Sequence, residues 1–448
     1  MTADRAPRAV AEGRELRLWK VGWALTVIFA AAILAAGSIF YSLIALLDFQ
    51  EIDSKAKLDA KTLFDIVKLS FGVVAGAGAL VALVVAYRRQ RVDEAGAHRE
   101  ATRLHAERFS QAVDKLGSDS PAVRLGGVHA LAGLADDAPD DSLQQTCIDV
   151  LCAYLRLRYS PDPGEGPDHL EQHHHYLALR EVRHTILRLI GDHYRRPKGT
   201  HRSWQGCDLD LTGVTIDGPM SFGGATFSDS NVSFRGATFS SGDVTFDGAT
   251  FSSGHVSFRD ATFSSGNVTF DDATFSGGNV TFDGATFSSG DVSFRDATFS
   301  SGHVTFDDAT FSSGDVSFHR ATFSGGDVSL QGATFSGGYV SFHRATFSGG
   351  YVSFGGATFS GGDVSLRGAT FSGGYVSLQG ATFSGGDVSL RGATFSGGDV
   401  SFRGATFYSG HVSFDDATGP APQGLLAAVG TPPPVWVTLP PAWLLPAP

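Results

Sequence analysis

Residues 237–248 read Ala237-Thr238-Phe239-Ser240-Ser241-Gly242-Asp243-Val244-Thr245-Phe246-Asp247-Gly248. From Ala225 to Thr418 this unit recurs every 12 residues, 16 times, with no insertion or deletion. Ala recurs at 225, 237, 249 and onward to 417, Phe at 227, 239, 251 and onward to 407, and Val from 232 to 412. The fourth apolar column is Phe from 234 to 318 and then mixes Leu330, Phe342, Leu366, Leu378, Leu390 and Phe402. A fixed short period of this kind marks a solenoid, in which each unit rests on its neighbours. Within the unit, Ala-Thr-Phe and Val-Thr-Phe share one grammar: small or branched apolar, hydroxyl, large apolar. In an extended segment the first and third residues point one way. Ala, Phe, Val and Phe therefore face inward, and Thr and Ser face out. The irregular lead-in follows the same rule, with inward pairs Leu209/Leu211, Val214/Ile216, Met220/Phe222 and Ala225/Phe227.

Two coil sizes compete. A coil of 12 residues would be flat and two-stranded, and the link Asp247-Gly248 would have to reverse the chain within one layer. A coil of 24 residues has four sides and asks each short link only for a corner. The charges favour the smaller coil: Arg235, Asp247, Arg259 and Asp271 alternate in sign, so 12 residues would stack opposites and 24 would stack Arg235 on Arg259. Exposed ladders of this kind are worth only tenths of a kcal/mol, so the turn argument decides for about 24 residues, with 12 as the alternative. Eight to nine such coils at about 4.8 Å make a solenoid near 40 Å long. Its open ends need covers, because an unpaired edge invites aggregation. The helical segment upstream is expected to cover the first, and Tyr408 and the break at Gly419-Pro420 mark the other.

The five-residue grammar resembles the pentapeptide-repeat family, whose pattern places a small residue two positions before a central Leu or Phe. The resemblance spans residues 209–418 and implies a right-handed, four-sided parallel β-helix. This sequence departs from it in that alternate half-units carry two additional residues, as in Gly242-Asp243. The wider layout is similar to actinobacterial membrane-anchored pentapeptide-repeat proteins. The matching segment runs from Tyr87-Arg88-Arg89-Gln90-Arg91 through Ser120-Pro121-Ala122-Val123-Arg124-Leu125 and includes Gln145-Thr146-Cys147-Ile148-Asp149-Val150-Leu151. That resemblance transfers no biochemical activity.

Upstream, residues 21–47 carry no charge, and neither do residues 69–87. Each is long enough to span the roughly 30 Å hydrocarbon core of a bilayer, and both read as transmembrane helices joined by a loop and helix start at 48–68. Arg5, Arg8, Arg14, Arg17 and Lys20 precede the first and Arg88, Arg89 and Arg91 follow the second, which places both termini in the cytoplasm of a plasma-membrane protein. Residues 1–20 are then a cytoplasmic N-terminal segment. Residues 88–200 read as a cytoplasmic α-helical connector, HEAT- or armadillo-like in part. Ser120 caps and Pro121 opens a helix there, and Val123, Leu125, Val128, Leu131 and Leu134 form an apolar stripe. Further helices start at Ser142 and run through Val182, Ile186, Leu189 and Ile190. Residues 201–418 are the β-helix. The tail 419–448 holds 9 of the 17 prolines and is expected to be flexible.

The chemistry is negative in two senses. The chain carries a formal charge of −12, which argues against a general nucleic-acid binder. Three Cys in 448 residues exclude a disulfide-built fold. No phosphate loop or nucleophile motif appears. His173, His174 and His175 are adjacent and do not share a helix face, and Cys147 and Cys152 are too far apart for a zinc-type pair. No catalytic, cofactor-binding or metal residue is assigned, and no cofactor or small-molecule substrate. The sequence therefore reads as a membrane-anchored, non-enzymatic scaffold that displays an acidic β-solenoid to a protein partner. From Cys207 to Thr418 there are 21 Asp and 8 Arg and no Glu or Lys, a net −13. The alternatives are a DNA mimic acting on a topoisomerase and a purely structural element at the membrane face.

Overall fold

The computed structural model describes residues 60–444, together with short helical pieces between 26 and 38. By internal contacts the chain divides at Thr102/Arg103.

The repeat array closes into a coil of 24 residues. Thr262 pairs in parallel with Thr238 on one side and Thr286 on the other, and Val268 pairs with Val244 and Val292. Eight coils follow, the first at 225–248 and the eighth at 393–416. Each coil has four short sides sorted into three sheets. The first two sides run together, as in the eight-residue strand Thr274–Thr281, with a register shift after Phe275 rather than a corner. Thr286–Phe287 belongs to the second sheet and Val292–Ser293 to the third. Sharp turns occur at two places per coil. After Phe234 the amide of Ala237 bonds back to the Phe234 carbonyl at 3.0 Å, and after Phe246 that of Ala249 bonds to Phe246 at 3.0 Å. We call these the first and second turn edges. They stand half a coil apart, between the first and second sheets and between the third and first.

The inward assignment holds throughout. Ala, Val and Phe of the repeat are buried in coil after coil, and so are Leu209, Leu211, Val214, Ile216 and Met220 of the lead-in. Equivalent Phe rings stack face to face, for example Phe263 on Phe287 at 4.7 Å and Phe275 on Phe299 at 4.7 Å. That distance is the spacing between paired strands, so ring stacking and backbone pairing demand the same repeat. Two Phe columns, those of Phe227 and Phe239, run unbroken. The other two admit Leu330, Leu366, Leu378 and Leu390, all buried.

The two additional residues of alternate half-units are accommodated by glycine. Gly290 has φ 89°, and a Cβ there would lie 2.0 Å from the carbonyl oxygen of Gly266 one coil below. The link passes so close to its neighbour that a side chain has no room.

Both ends are covered. Upstream lie α1 (Ala60–Leu116), α2 (Pro121–Asp136), α3 (Asp141–Arg156) and α4 (Leu170–Tyr194). Ser120 and Pro121 open α2 as their sequence suggests, although the Ser120 side chain makes no cap bond. The carboxylate of Asp140 caps α3 on the Leu143 amide. Of these, α3 packs on Leu209–Asp210 and α4 on Met220–Ser221 at the start of the solenoid. Tyr194 packs at a tilt of 40° against Phe227, ring centroids 5.3 Å apart, and donates its hydroxyl to the Cys207 carbonyl at 2.7 Å. Buried Arg183 donates to the carbonyls of Leu155 and Thr215, 2.6 and 2.8 Å away, joining α3 to the solenoid through α4.

The far end corrects the expectation of a flexible tail. Val437–Thr438 adds a parallel strand to Val412–Ser413, α5 (Leu425–Val429) buries Leu425, and Trp443 packs edge-on against Phe395 and Phe414 at 5.8 and 5.4 Å. Proline-rich sequence forms no sheet by itself, but an exposed parallel edge supplies the missing partner.

A second correction concerns the membrane. Among the described residues no helix is long and apolar enough to cross one, so a two-helix transmembrane hairpin is not shown. Apart from the short pieces noted above, the first arm, 21–47, lies outside the described residues. The second, 69–87, is no discrete apolar helix. It is one stretch of the 57-residue α1, which starts before the run and bears Lys61, Asp65 and Lys68 ahead of it and Arg88, Arg89 and Arg91 after it.

The columns predict unequal tolerance. Phe299→Ala, in an unbroken column, is expected to cost about 3–5 kcal/mol. Phe306→Leu, in a column that already accepts Leu, is expected to cost under about 1.5 kcal/mol. Denaturant unfolding of both variants checks the difference.

Candidate interaction surface

Of the histidines and cysteines, His184 and Cys207 bridge the helices and the solenoid. Cys147, Cys152 and Cys207 are buried free thiols. Burial pushes them up to about 11, 12 and 11, which suppresses the reactive thiolate. His173 is buried and contacts Asp162 at 2.6 Å, whereas His174 and His175 are exposed. His184 meets the Asp217 carbonyl at 2.7 Å. His193 stacks on Trp204 at 4.1 Å, and both turn a ring nitrogen to Asp136, at 3.1 and 3.0 Å. Among the described residues no three metal-ligating side chains gather.

What remains is the outward surface of the solenoid, and its columns have distinct physical jobs. Before each Val of the third sheet stands Asp243, Asn267, Asp291, Asp315, Tyr339, Asp363, Asp387 or His411. Where this residue is Asp or Asn, its side-chain oxygen accepts the backbone amide one coil on. Asp243 takes Asn267, Asn267 takes Asp291, Asp291 takes Asp315 and Asp315 takes Tyr339, all within 2.8–2.9 Å. Asp363 and Asp387 repeat the contact at 2.8 and 2.7 Å. These amides lie outside the strand ladder and need an acceptor. Much of the acidity of the array is therefore structural.

The turn edges differ. On the second edge Asp247 and Asp271 give way to Arg295, His319-Arg320, His343-Arg344, Arg367 and Arg391, and then to Asp415-Asp416. His319 stacks on His343 at 5.2 Å, and burial together with the neighbouring arginines lowers both imidazoles from their ordinary range. Beside this edge the third sheet forms an open groove of about 600 Å³, lined by Asp291, Arg295, Asp315, His319, Arg320 and Tyr339 among others. It mixes both charge signs.

Stacking Arg235 beside Arg259 is made tolerable by the following turn position. Arg235 reaches Asp260 at 3.8 Å, Arg391 reaches Asp416 at 3.5 Å, and Arg320 binds Asp296 through two contacts of 2.7 Å. That position has a left-handed backbone. Glycine fills it in several coils, but Asp260, Asp272, Asp296, Asp308, Arg320, Arg344 and Asp416 hold φ of 58–59° there. The charge pattern of the edges escapes a 12-residue tabulation and is plain in a 24-residue one.

Residues 330–382 and 373–418 match the family model for pentapeptide repeats (9 copies). The same register extends back through the earlier coils, and the array is a β-solenoid of pentapeptide repeats. Comparison with curated proteins and with solved structures returns no match.

Two outcomes follow. Left-handed backbone costs an L-residue roughly 1–2 kcal/mol, so Arg344→Gly is expected to raise stability by about 1 kcal/mol, read by denaturant unfolding. At the helix–solenoid junction, burial works to raise the Asp136 carboxyl, but hydrogen bonds from His193 and Trp204 outweigh it and hold it below the ordinary range. A depressed carboxyl stabilises the fold above its unfolded pKa of about 4 and loses that contribution as pH falls through the folded value. Asp136→Ala is expected to cost about 1–3 kcal/mol at pH 7. The gap from the parent should narrow below about pH 4, which unfolding at pH 7, 5 and 3 measures.

Proposed function

We propose that this chain is a non-enzymatic scaffold whose solenoid presents a patterned, mainly acidic surface to another protein. One observation carries the reading: the inward columns hardly change along eight coils, whereas the variation gathers at outward positions. The residue before Val in the first sheet runs Asn231, His255, Asn279, His303, Asp327, Tyr351, Tyr375, Asp399, while the Val beside it is always buried. Fixed core and varied surface are what a display framework requires. Pentapeptide-repeat solenoids are generally structural or interaction proteins without enzymatic activity, which supports the same reading. The resemblance to actinobacterial relatives adds no partner.

DNA mimicry directed at a topoisomerase is the second reading. It is favoured by acid density, since 16 of the 21 Asp of the array lie before residue 330. The arginine-bearing second edge opposes it, because a duplex offers no cationic strip.

Photo-reactive side chains placed at His303 and Tyr351 in cells test the proposal. Discrete adducts to a second protein, lost when neighbouring outward residues are changed, are expected. Absence of adducts at outward positions on all three sheets would favour a purely structural element. In a parallel assay, the purified full chain is expected to leave DNA supercoiling unaffected, and inhibition would move mimicry to the front.

A further inference from the structure

A small cavity lies where the helices meet the lead-in of the solenoid. Tyr159, just beyond α3, lines it together with Arg180, Arg183 and His184 of α4 and with Thr215 and Asp217 of the strand Thr215–Asp217. The space open to the centre of a water-sized sphere is about 10 Å³. A void of that size holds one water or one monatomic ion and nothing larger.

Its wall is rich in donors. Arg183 is only 7% exposed. Its Nη2 donates to the Leu155 and Thr215 carbonyls, and among the described residues no carboxylate pairs with it and no acceptor meets its Nε or Nη1. Its guanidinium lies over the Tyr159 ring, 4.7 Å from the centroid. The Tyr159 hydroxyl is buried and has no partner among the described residues. Burial, with Asp217 nearby, pushes it up to about 12, so it stays protonated and donates. The acceptors of the wall are largely engaged. The Asp217 carbonyl takes Nε2 of His184 at 2.7 Å and Nε of Arg180 at 2.9 Å. One carboxylate oxygen of Asp217 accepts from Ser240 and Ser241 at 3.4 and 2.5 Å, and the other is 4.0 Å from Arg180. Asp162 acts on Tyr159 from further out and is itself in contact with His173 at 2.6 Å. At the cavity, two guanidiniums therefore face one carboxylate. A buried cation without a counter-charge and a buried hydroxyl without an acceptor both cost stability.

We propose that this cavity is a binding site for one monatomic anion of the halide class, such as chloride, held by the Tyr159 hydroxyl and the Arg183 guanidinium. A halide accepts from several donors at once, and its charge offsets the surplus guanidinium. A water in the same place would have to direct its own two protons at a wall whose acceptors are largely taken. Tyr159 follows α3, Arg183 belongs to α4, and Thr215 and Asp217 begin the solenoid, so one ion ties three segments together. The cohesion of helices and solenoid then responds to halide concentration. The inference goes beyond the scaffold reading. It needs no protein partner, and its failure leaves the partner test in cells untouched.

The test uses the purified full chain. Denaturant unfolding is followed at constant ionic strength while sodium chloride is exchanged for sodium gluconate, whose anion is too large for the cavity. The midpoint should rise with chloride and level off as one site fills, and bromide should act in the same way. Tyr159→Phe keeps the ring against Arg183 and removes the hydroxyl. In gluconate it should be at least as stable as the parent, because it buries no orphan donor. Its halide affinity, read from the chloride dependence, should fall about tenfold, in keeping with the loss of one hydrogen bond to an ion. Crystals grown in bromide should show an anomalous peak within hydrogen-bond distance of the Tyr159 hydroxyl and the Arg183 guanidinium. Equal midpoints in chloride and gluconate overturn the proposal, and so does a halide effect that Tyr159→Phe leaves undiminished. A bromide peak elsewhere on the molecule alone means an adventitious ion only, and a density without anomalous signal in the cavity means a water. Either result also overturns it.

Discussion

Everything in the solenoid depends on parallel pairing at one fixed step. A short side of two residues can satisfy few of its own backbone groups, so each coil relies on the coil before and the coil after. The Phe rings stack at the same step, and the Asp and Asn side-chain oxygens beside the third sheet reach the next coil's amides across it. Backbone, core and surface thus share one spacing. A residue type suits this array if it repeats well at that distance. Phe, Ala, Val and Gly do so, and long aliphatic chains with several rotamers do so less well.

The same dependence explains why both ends are elaborate. At the first coil, α4 provides Tyr194 as a tilted ring that covers Phe227, and Arg183 as a donor for carbonyls that no coil meets. At the last, a Pro-rich segment supplies one strand and one indole. The two covers are chemically unrelated, one helical and the other nearly without regular structure. What they share is the edge that they complete.

Much of this was legible in the sequence. The inward columns, the 24-residue coil, the helix starting at Pro121 and the covered first coil follow from periodicity, turn geometry and capping. What was missed depends on context. Val437–Thr438 is a strand only because Val412–Ser413 leaves an edge open, and proline counts conceal that. The merging of two sides into one sheet depends on how nearly straight the Ser-Gly-Gly link runs, which composition does not reveal. The run 69–87 reads alone as an isolated apolar segment, whereas it is one stretch of the 57-residue α1. The Asp columns looked like net charge alone, and their duty as backbone acceptors appears only when residues 24 apart are brought together.

The last coil is built from the same columns as the coils before it, so the C-terminal cover would meet a suitable surface wherever the array stopped, provided that it stopped after a whole turn. Growth or loss of this protein's gene is thereby constrained to steps of 72 base pairs. A duplication of 36 would keep the reading frame and every apolar column. It would nevertheless carry the two edges past each other and deliver the strand at Val437 to the wrong sheet. Near-identical 12-residue units make such slippage easy at the level of DNA, and the fold makes every second slip unfit.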